Sequence, residues 1–388
     1  MYGYLNLSFW GYVIATLIMV QVSIFGVTVY LHRDAAHRSL DLHPAIRHFF
    51  RLWIWMSSSM LTKEWVAVHR KHHAKCETPE DPHSPVIFGL KKVLTEGAEL
   101  YQLQARNPET LEKYGRGCPD DWVERNVYSR YRNAGIISMA LIDLFLFGVP
   151  SIIIFAIQML TFPVLAAGVI NGLGHAIGYR NFECPDASTN VAPWGLLIGG
   201  EELHNNHHAF PSSAKFSIQP WEVDAGWGLI SILKVLGLAK VHRTAPTPVK
   251  VEGKHVDLET VRAVIVNRMH VVRDYTRHVM LPVFRAELTK AGSKLSASLR
   301  SLLVRESSLL DEQAKSRLTQ ALEQNKALRT VHEFRTKLQM LWNSNMNNEK
   351  LLQHLKEWIA QAEASGIKSL QDFAASLRSY SMPAMAHA

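Results

Sequence analysis

Cysteine is scarce in this chain, and its arrangement excludes two common kinds of site. The three cysteines, Cys76, Cys118 and Cys184, are odd in number and widely separated, and no Cys-x-x-Cys pair occurs. Neither a disulfide framework nor a thiolate metal site is expected, and a reducing cytosolic environment fits. No cleavable signal peptide is expected, because the N-terminal stretch has no positively charged region and its apolar part is too long. We expect that stretch to remain as a membrane span.

Charged side chains are almost missing from two long stretches. Residues 1–31 contain none, and in residues 135–179 Asp143 is the single charged residue. About 20 apolar residues suffice for a helix to cross a bilayer. The excess of basic over acidic residues lies in the C-terminal part of the chain, where residues 243–388 carry 22 Lys and Arg against 14 Asp and Glu. The composition predicts a lipid-embedded protein with a large water-facing part and a basic tail.

The apolar segments predict three membrane crossings. Residues 5–31 form the first span. A weaker segment at 45–62 contains arginines. We expect it to lie at the interface, because a crossing there would place the histidine motifs described below on opposite sides. Residues 135–179 are expected to cross and return, with a turn near residues 161–163. Because residues 32–133 carry 16 Lys and Arg, their side is expected to be cytoplasmic.

Histidines recur at spacings typical of metal ligands. Two copies of His-x-x-His-His occur, at residues 69–73 and 204–208, and His32 and His37 precede them. Residues i, i+3 and i+4 lie on one face of a helix, so each copy can present three imidazoles together. Residues five apart on an α-helix are about 140° apart, so His32 and His37 can address two metals. His175 adds a further imidazole, in the second apolar stretch.

So many imidazoles predict a two-metal site. Imidazole suits iron, zinc and copper. The lack of a thiolate set argues against structural zinc, and the four-helix arrangement of Glu and Glu-x-x-His ligands in soluble di-iron proteins does not fit the spacing. The residue types leave open an oxygen-activating iron centre or two zinc ions with a hydrolytic or structural role. The other histidines, including His83, are interpreted as surface or structural residues.

Three segments closely resemble the histidine boxes of membrane fatty acid desaturases. They are His32–His37, His69–His73 and Gly200–Pro211. The most similar branch is that of the acyl-CoA delta-9 (stearoyl-CoA type) desaturases, which has bacterial members. Residues Asn171–His175, with the sequence Asn-Gly-Leu-Gly-His, match the additional Asn-x-x-x-His element of that branch. The resemblance covers about residues 5–240.

The resemblance implies a desaturase domain over residues 1–242. Residues 243–257 are expected to be a linker, and residues 258–388 a basic helical C-terminal extension. The extension bears a faint similarity to the helical ends of some transposases. Apolar residues recur there at helical spacing, at Val331, Phe334, Leu338 and Leu341. The expected fold is an all-α integral membrane protein, in which a few transmembrane helices carry a cytosolic helical di-iron cap and a C-terminal helical tail follows.

The resemblance also implies two iron ions with histidine ligands from all the boxes. The ligands implied for the first iron are His32, His69, His73 and His204, with Asn171 acting through a water molecule. Those implied for the second iron are His37, His72, His175, His207 and His208. The acids that are candidates to orient the imidazoles are Asp34, Glu77, Asp81, Glu201 and Glu202.

The implied reaction is oxygen-dependent desaturation of a long-chain fatty acyl substrate, which forms a cis double bond in unsaturated fatty acid biosynthesis. Acyl-CoA and the delta-9 position are expected, while acyl carrier protein and phospholipid remain open as carriers. An apolar tunnel would hold the chain, with Thr16 and Val20 at its far end. This chain has one span before the first box, where the branch usually has two. No His-Pro-Gly-Gly haem motif or glycine-rich nucleotide fingerprint occurs. Ferredoxin, rubredoxin or a flavin reductase is therefore expected to supply electrons.

Two other functions fit parts of the pattern. A lipid or alkane hydroxylase would use the same metal centre. A metal transporter or sensor would need ligands along a crossing path, whereas these ligands are predicted to collect on one side. No nucleic-acid partner is expected for the tail. The expected location is among the lipids of the bacterial inner membrane, with the active site on the cytoplasmic side.

Overall fold

The computed structural model describes residues 3–290 and 297–383, and most of them are helical. The chain divides into two compact units. The first contains the chain up to Arg180 and residues 186–245, and the second contains residues 181–185 and the chain from Pro246 onward. The division at 245 and 246 falls inside the predicted linker.

The first unit is built mainly from helices. Its α-helices are α1 (Phe9–Phe25), α2 (Pro44–Ser58), α3 (Thr62–Lys75), α4 (Pro85–Phe88), α5 (Leu90–Ala105), α6 (Pro108–Tyr114), α7 (Ala134–Phe147), α8 (Ser151–Thr161), α9 (His204–Ala209) and α10 (Ala225–Val235). Its π-helical segments are Gly26–Ala36, Glu124–Tyr128 and Phe162–Leu173. Its short strands are β1 (Leu40–Leu42), β2 (Trp194–Gly195), β3 (Val223–Asp224) and β4 (Ala239–Val241), which pair as β1 with β4 and β2 with β3.

Within residues 3–290 and 297–383, two helices are long and apolar enough to cross a membrane. The first joins α1 to the π segment that follows it, and together they span 28 residues, Phe9–Ala36. The second joins α8 to its π segment over 23 residues, Ser151–Leu173. The apolar helix α7 has 14 residues and is shorter than the roughly 20 that a perpendicular crossing needs. The weaker segment predicted at 45–62 forms α2, which is not among the candidate spans.

The turn within the second apolar stretch was predicted at the wrong place. The chain turns at Gly148–Pro150, between α7 and α8, and not at residues 161–163. Gly148 has φ of 65°, a left-handed value that glycine adopts without steric cost. Pro163 lacks the N–H that an α-helix would use. The chain accommodates Pro163 by changing from α to π geometry without a break.

The π segment that ends the first span sets the direction of the first histidines. The His37 amide donates a hydrogen bond to the His32 carbonyl at 3.0 Å, a bond between residues five apart. Such bonds define a π-helix, and the ring centroids of His32 and His37 are 5.0 Å apart. His32 and His37 therefore share a face, in contrast to the 140° separation expected from an α-helix.

The second unit is a helical bundle with its own core. Its α-helices are α11 (Leu258–Val266), α12 (Arg268–Tyr275), α13 (Leu281–Lys290), α14 (Ala297–Val304), α15 (Glu312–Gln324), α16 (Lys326–Asn343), α17 (Asn348–Glu363) and α18 (Lys368–Arg378). A π segment, Thr276–Met280, and a 3-10 turn, Ser307–Leu309, complete the helical part. The strands β5 (Val249–Lys250) and β6 (Tyr380–Ser381) pair and tie its two ends together. The apolar residues predicted at helical spacing are buried on α16: Val331, Phe334, Leu338 and Leu341.

A buried ion-pair network joins α2 to the polar segment before α7. The Arg51 guanidinium is 6% exposed and lies 2.7 Å from a carboxylate oxygen of Glu124. It also donates two hydrogen bonds to the carboxylate of Asp121. A buried charge is tolerated only when it is paired and hydrogen-bonded. This network therefore fixes the Glu124–Tyr128 segment against α2.

Arg51→Ala is expected to destabilise the first unit by about 3 kcal/mol, because it leaves the buried Glu124 carboxylate unpaired. Thermal unfolding of the detergent-solubilised protein measures the effect. The control is Arg125→Ala. Arg125 and its ion-pair partner Asp120 are both exposed, and such a pair contributes under about 1 kcal/mol. Equal melting temperatures for the two variants would show that the Arg51 network does not stabilise the fold.

Candidate metal centre

Nine histidines that the sequence singled out meet inside the first unit. His32 lies in the π segment after α1, and His37 directly follows that segment. The first His-x-x-His-His copy lies in the last two turns of α3, and the second copy forms most of the six-residue helix α9. His175 follows the π segment Phe162–Leu173. Helix ends and helix junctions thus supply all of these imidazoles.

Five of the histidines form a first histidine group. Its members are His32, His37, His69, His73 and His207, whose nearest ring nitrogens lie within 4.8 Å of one another. The Nε2 atoms face each other in pairs. His37 and His69 are 2.8 Å apart, His73 and His207 are 2.9 Å apart, and His32 and His207 are 3.0 Å apart.

The remaining four form a second histidine group, consisting of His72, His175, His204 and His208. Ligand atoms of His72, His175 and His208 lie within 4.8 Å of one another and of the Cys76 sulfur. The Nε2 atoms of His175 and His204 are 2.9 Å apart. The Cys76 sulfur lies 3.9 Å from His72 Nε2, so this thiol borders the group.

Each His-x-x-His-His copy serves both groups. On an α-helix, residue i+4 lies about 40° to one side of residue i and residue i+3 about 60° to the other side. The i and i+4 pair therefore points one way and the i+3 residue the other. His69 and His73 accordingly belong to the first group and His72 to the second. His204 and His208 belong to the second group and His207 to the first.

The predicted division of the ligands between two metals is wrong at three positions. His37 and His207 belong to the first group instead of the second, and His204 belongs to the second instead of the first. For His37 the cause is the π segment, which places it above His32. For the other two the cause is the orientation of α9, which sends its central histidine toward α3.

Carboxylates hold the outer ring nitrogens of four histidines. The Nδ1 atom of His32 lies 2.8 Å from a carboxylate oxygen of Glu201, and that of His72 lies 3.0 Å from Asp81. The Nδ1 atom of His175 lies 3.0 Å from Glu77, and that of His208 lies 3.0 Å from Asp186. Such contacts fix the tautomer and orientation of a ligand imidazole, so that Nε2 is presented to a metal.

Three of the five carboxylates that the sequence suggested, Glu77, Asp81 and Glu201, have this role. Asp34 instead accepts two hydrogen bonds from Arg47. Glu202 accepts hydrogen bonds from the amides of Ile198 and Gly200. Asp186 was missed, because it lies 22 residues before His208 and no sequence spacing relates the two.

Burial favours the neutral form of most of the imidazoles. Desolvation lowers the pKa of His69, His73, His204 and His207 well below the ordinary histidine value. Desolvation also lowers the pKa of His208, to about 4, although Asp186 opposes the change. Burial disfavours the charged form of Asp186, but the facing imidazole of His208 holds the pKa of this carboxyl well below its usual range. Neutral imidazoles and ionised carboxylates are the forms that a metal requires.

The donor set fits two metal ions. Two nitrogens bound at right angles, each at about 2.1 Å from one ion, lie about 3 Å apart, and the Nε2 pairs have this separation. In His208, Nδ1 is bonded to Asp186, while the buried Nε2 has no hydrogen-bond partner among the described residues. The two groups together supply nine imidazoles, which suit iron, zinc or copper. The geometry is compatible with two metal ions and does not select the element.

A cavity of about 620 Å³ opens onto both groups. His32 and His69 of the first group and His204 of the second lie in its wall, as does Asn171. Apolar side chains from α7, α8, the π segment Phe162–Leu173 and α3 form much of the rest. Besides His32, the first span contributes Ile24 and Val27 to the wall, which lie nearer to His32 along the helix than Thr16 and Val20, the residues predicted at the far end.

His83 is a site residue that the sequence interpretation missed. It was assigned to the surface or to a structural role, but it is 4% exposed and lines the same cavity. Its ring stacks on His72 with 4.5 Å between centroids. Neither of its ring nitrogens has a partner among the described residues. In the sequence, His83 follows Asp81 and Pro82. Its position two residues after Asp81, the acid that orients His72, was the available signal.

Several proteins of known activity are similar to this chain. The sn-1 stearoyl-lipid 9-desaturase of Synechocystis is 31% identical over 60% of this chain and 71% of its own length. Delta-9 acyl-lipid desaturase 1 of Arabidopsis thaliana is 30% identical over 59% and 74%. The acyl-CoA C20 Delta5-desaturase of Anemone leveillei is 32% identical over 60% and 72%.

Two family models match separate parts of the chain. A transposase model matches residues 258–387, within the second unit. A fatty acid desaturase model matches residues 7–222, which include both histidine groups and the cavity between them. Together with the two long apolar helices, this match indicates a membrane protein. The chain therefore belongs to the fatty acid desaturase family and is a fatty acyl desaturase, an oxidoreductase of lipid metabolism.

Proposed function

We propose that this desaturase forms a cis double bond at the delta-9 position of a long-chain acyl group, with two iron ions in the histidine groups. The observation that carries the proposal is one apolar cavity whose wall includes histidines of both groups. Similar proteins named for delta-9 activity support the position of the double bond. Among the relatives, some are named for lipid-linked substrates and others for acyl-CoA. The carrier is thus proposed to be CoA or a glycerolipid.

The proposed ligands follow the two groups. The first iron would be held by His32, His37, His69, His73 and His207. The second would be held by His72, His175, His204 and His208, with Asn171 acting through a water molecule. When bound, the pair would supply the oxygen activation that removes hydrogen from two adjacent methylenes. Asp186, Glu201, Glu77 and Asp81 orient the ligand rings, and their hydrogen bonds keep each imidazole in one tautomer.

The cavity walls position the acyl chain. A methylene chain offers no polar handle, so its placement depends on shape and on apolar contact. Ile24, Val27, Met159 and Phe162 supply such contacts next to the histidines. The same walls exclude water from the reacting carbons. Positioning of this kind supports a single product, because a shift of one carbon changes which methylenes face the metals.

The proposed setting is the bacterial inner membrane, with the metal centre on the cytoplasmic side. The 16 Lys and Arg of residues 32–133 support this orientation through the positive-inside tendency. Electrons would come from a separate ferredoxin, rubredoxin or flavin reductase. Basic residues beside the first group, such as Arg38 and Arg116, are exposed and could attract an acidic donor.

Expression in a host that cannot make unsaturated fatty acids tests the reaction. The wild-type chain is expected to restore cis delta-9 unsaturated chains, and double-bond positions measured in the acyl-CoA and glycerolipid pools would identify the carrier. His72→Ala and His207→Ala each remove one ligand from a different group, and both are expected to abolish the product. The control is His48→Ala, outside both groups.

The product also decides between desaturation and hydroxylation. An alcohol in place of an alkene would contradict the proposed reaction, as would unsaturated product from His72→Ala. A double bond at another carbon would contradict the delta-9 assignment but not the desaturase activity.

Asp186→Asn tests the role of the carboxylates in metal binding. The change removes the negative charge that faces His208 and is expected to weaken metal affinity about tenfold to a hundredfold. Competition between the purified protein and a chelator for Fe²⁺ gives the affinity without any turnover. Glu80→Gln is the matched control, since Glu80 is exposed and pairs only with Lys75. Unchanged affinity in the Asp186 variant would refute an orienting role for this residue.

A further inference from the structure

Two buried hydroxyl groups in the wall of the cavity have no hydrogen-bond partner. They are Ser57 Oγ, in the last turn of α2, and Tyr101 Oη, on α5. Ser57 is fully buried. Neither hydroxyl bonds to another atom of the described residues. Buried polar groups in folded proteins are nearly always paired with protein, water or ligand. Two unpaired donors in one cavity therefore indicate that its occupant supplies an acceptor.

The wall of the cavity that includes both hydroxyls also includes Arg132. Tyr101 interacts electrostatically with Glu64 and Arg132. The Ser59 hydroxyl, two residues after Ser57, donates a hydrogen bond to the Arg132 carbonyl at 3.0 Å. The Arg132 guanidinium is engaged by the Glu64 carboxylate. Its charge is thus already compensated, and the two unpaired hydroxyls of the cavity wall are themselves neutral.

The chemistry of the hydroxyls selects the kind of acceptor. A saturated acyl chain has a single polar atom that can enter an apolar cavity, namely its carbonyl oxygen. A neutral O–H donor suits a neutral carbonyl, which offers two lone pairs. Burial raises the pKa of the Tyr101 hydroxyl above its ordinary value, so this group remains a donor at any physiological pH.

We propose that Tyr101 and Ser57 bind the acyl carbonyl oxygen of the substrate, as a thioester or an ester. This inference rests on the proposed function, in which the cavity holds the acyl chain beside the metals. An anchored carbonyl becomes the origin from which carbons are counted. The double bond then forms at a fixed number of carbons from the carbonyl, whatever the total chain length. Chains held only by apolar walls would instead slide, since each methylene is equivalent to the next.

Feeding acyl chains of different lengths tests the anchor. Cells expressing the wild-type protein are given saturated chains of about 16, 17 and 18 carbons, and the double bonds are located by mass spectrometry. One position, counted from the carbonyl, is expected for all three lengths. Tyr101→Phe and Ser57→Ala are each expected to yield mixed positional isomers. Each is also expected to raise the half-saturating substrate concentration roughly fivefold to tenfold, the effect of one lost hydrogen bond.

Two matched variants serve as controls. Tyr12→Phe removes another buried and unpaired tyrosine hydroxyl, but one in α1 that does not line this cavity. Ser58→Ala changes a serine that does line the cavity, whose hydroxyl donates to the Ile54 carbonyl at 2.7 Å. Both controls are expected to keep a single isomer. Iron content and protein yield are measured for every variant, so that a failure to fold is recognised.

The anchor is refuted if Tyr101→Phe and Ser57→Ala, both folded and loaded with metal, keep the wild-type isomer and the wild-type half-saturating concentration. It is also refuted if the wild-type protein places the double bond at a fixed distance from the methyl end. These results differ from a failure of the proposed function, in which the wild-type protein would form no unsaturated product from any chain.

Discussion

The centre depends on burying nine imidazoles close together without leaving them charged or misdirected. Neutral rings pack at this density only if their nitrogens have partners, and the Nε2 atoms mostly face one another at 2.8 to 3.0 Å. A cation between these nitrogens would accept one lone pair from each of them, so that every Nε2 atom would have a partner. We therefore expect metal binding to be coupled to folding of this region. Four buried carboxylates complete the arrangement, and they offset the positive charge that two metal ions would bring.

The carboxylates connect segments that are distant in the sequence, and a buried arginine adds to the same connection. Arg33 follows the ligand His32 and is fully buried, with its guanidinium 2.9 Å from Asp224 and 3.8 Å above the Phe216 ring. Close approach of these groups requires a glycine at position 200, where φ is 99° and a Cβ would lie 2.3 Å from Asp224. The loop that carries Glu201 and His204 is thus held against the first span from two sides.

The sequence was sufficient to single out the nine histidines that meet in the fold, because they recur at the helical spacing that metal ligands use. It was not sufficient to divide them between metals. The α-helical assumption placed His37 away from His32, whereas a run of π geometry brings them together, and no local propensity distinguishes the two. Asp186 and His83 escaped prediction for another reason. Their roles depend on tertiary contacts, with His208 and His72, that no spacing encodes. The helical C-terminal unit was predictable because its apolar residues follow one simple period.

The same π geometry joins the substrate cavity to the metal centre. Val27, His32 and His37 are successive residues at intervals of five, and all three belong to or directly follow the segment Gly26–Ala36. In a π-helix the hydrogen bond between residues five apart brings each such residue closer to the direction of the previous one, whereas an α-helix would turn each about 140° from the last. Val27 and His32 both line the cavity, and His32 and His37 both belong to the first histidine group. One continuous helix thus carries part of the cavity wall and, at its C-terminal end, two histidines of the first histidine group. The spacing between this part of the wall and the first histidine group is therefore set by helix geometry and not by a loop.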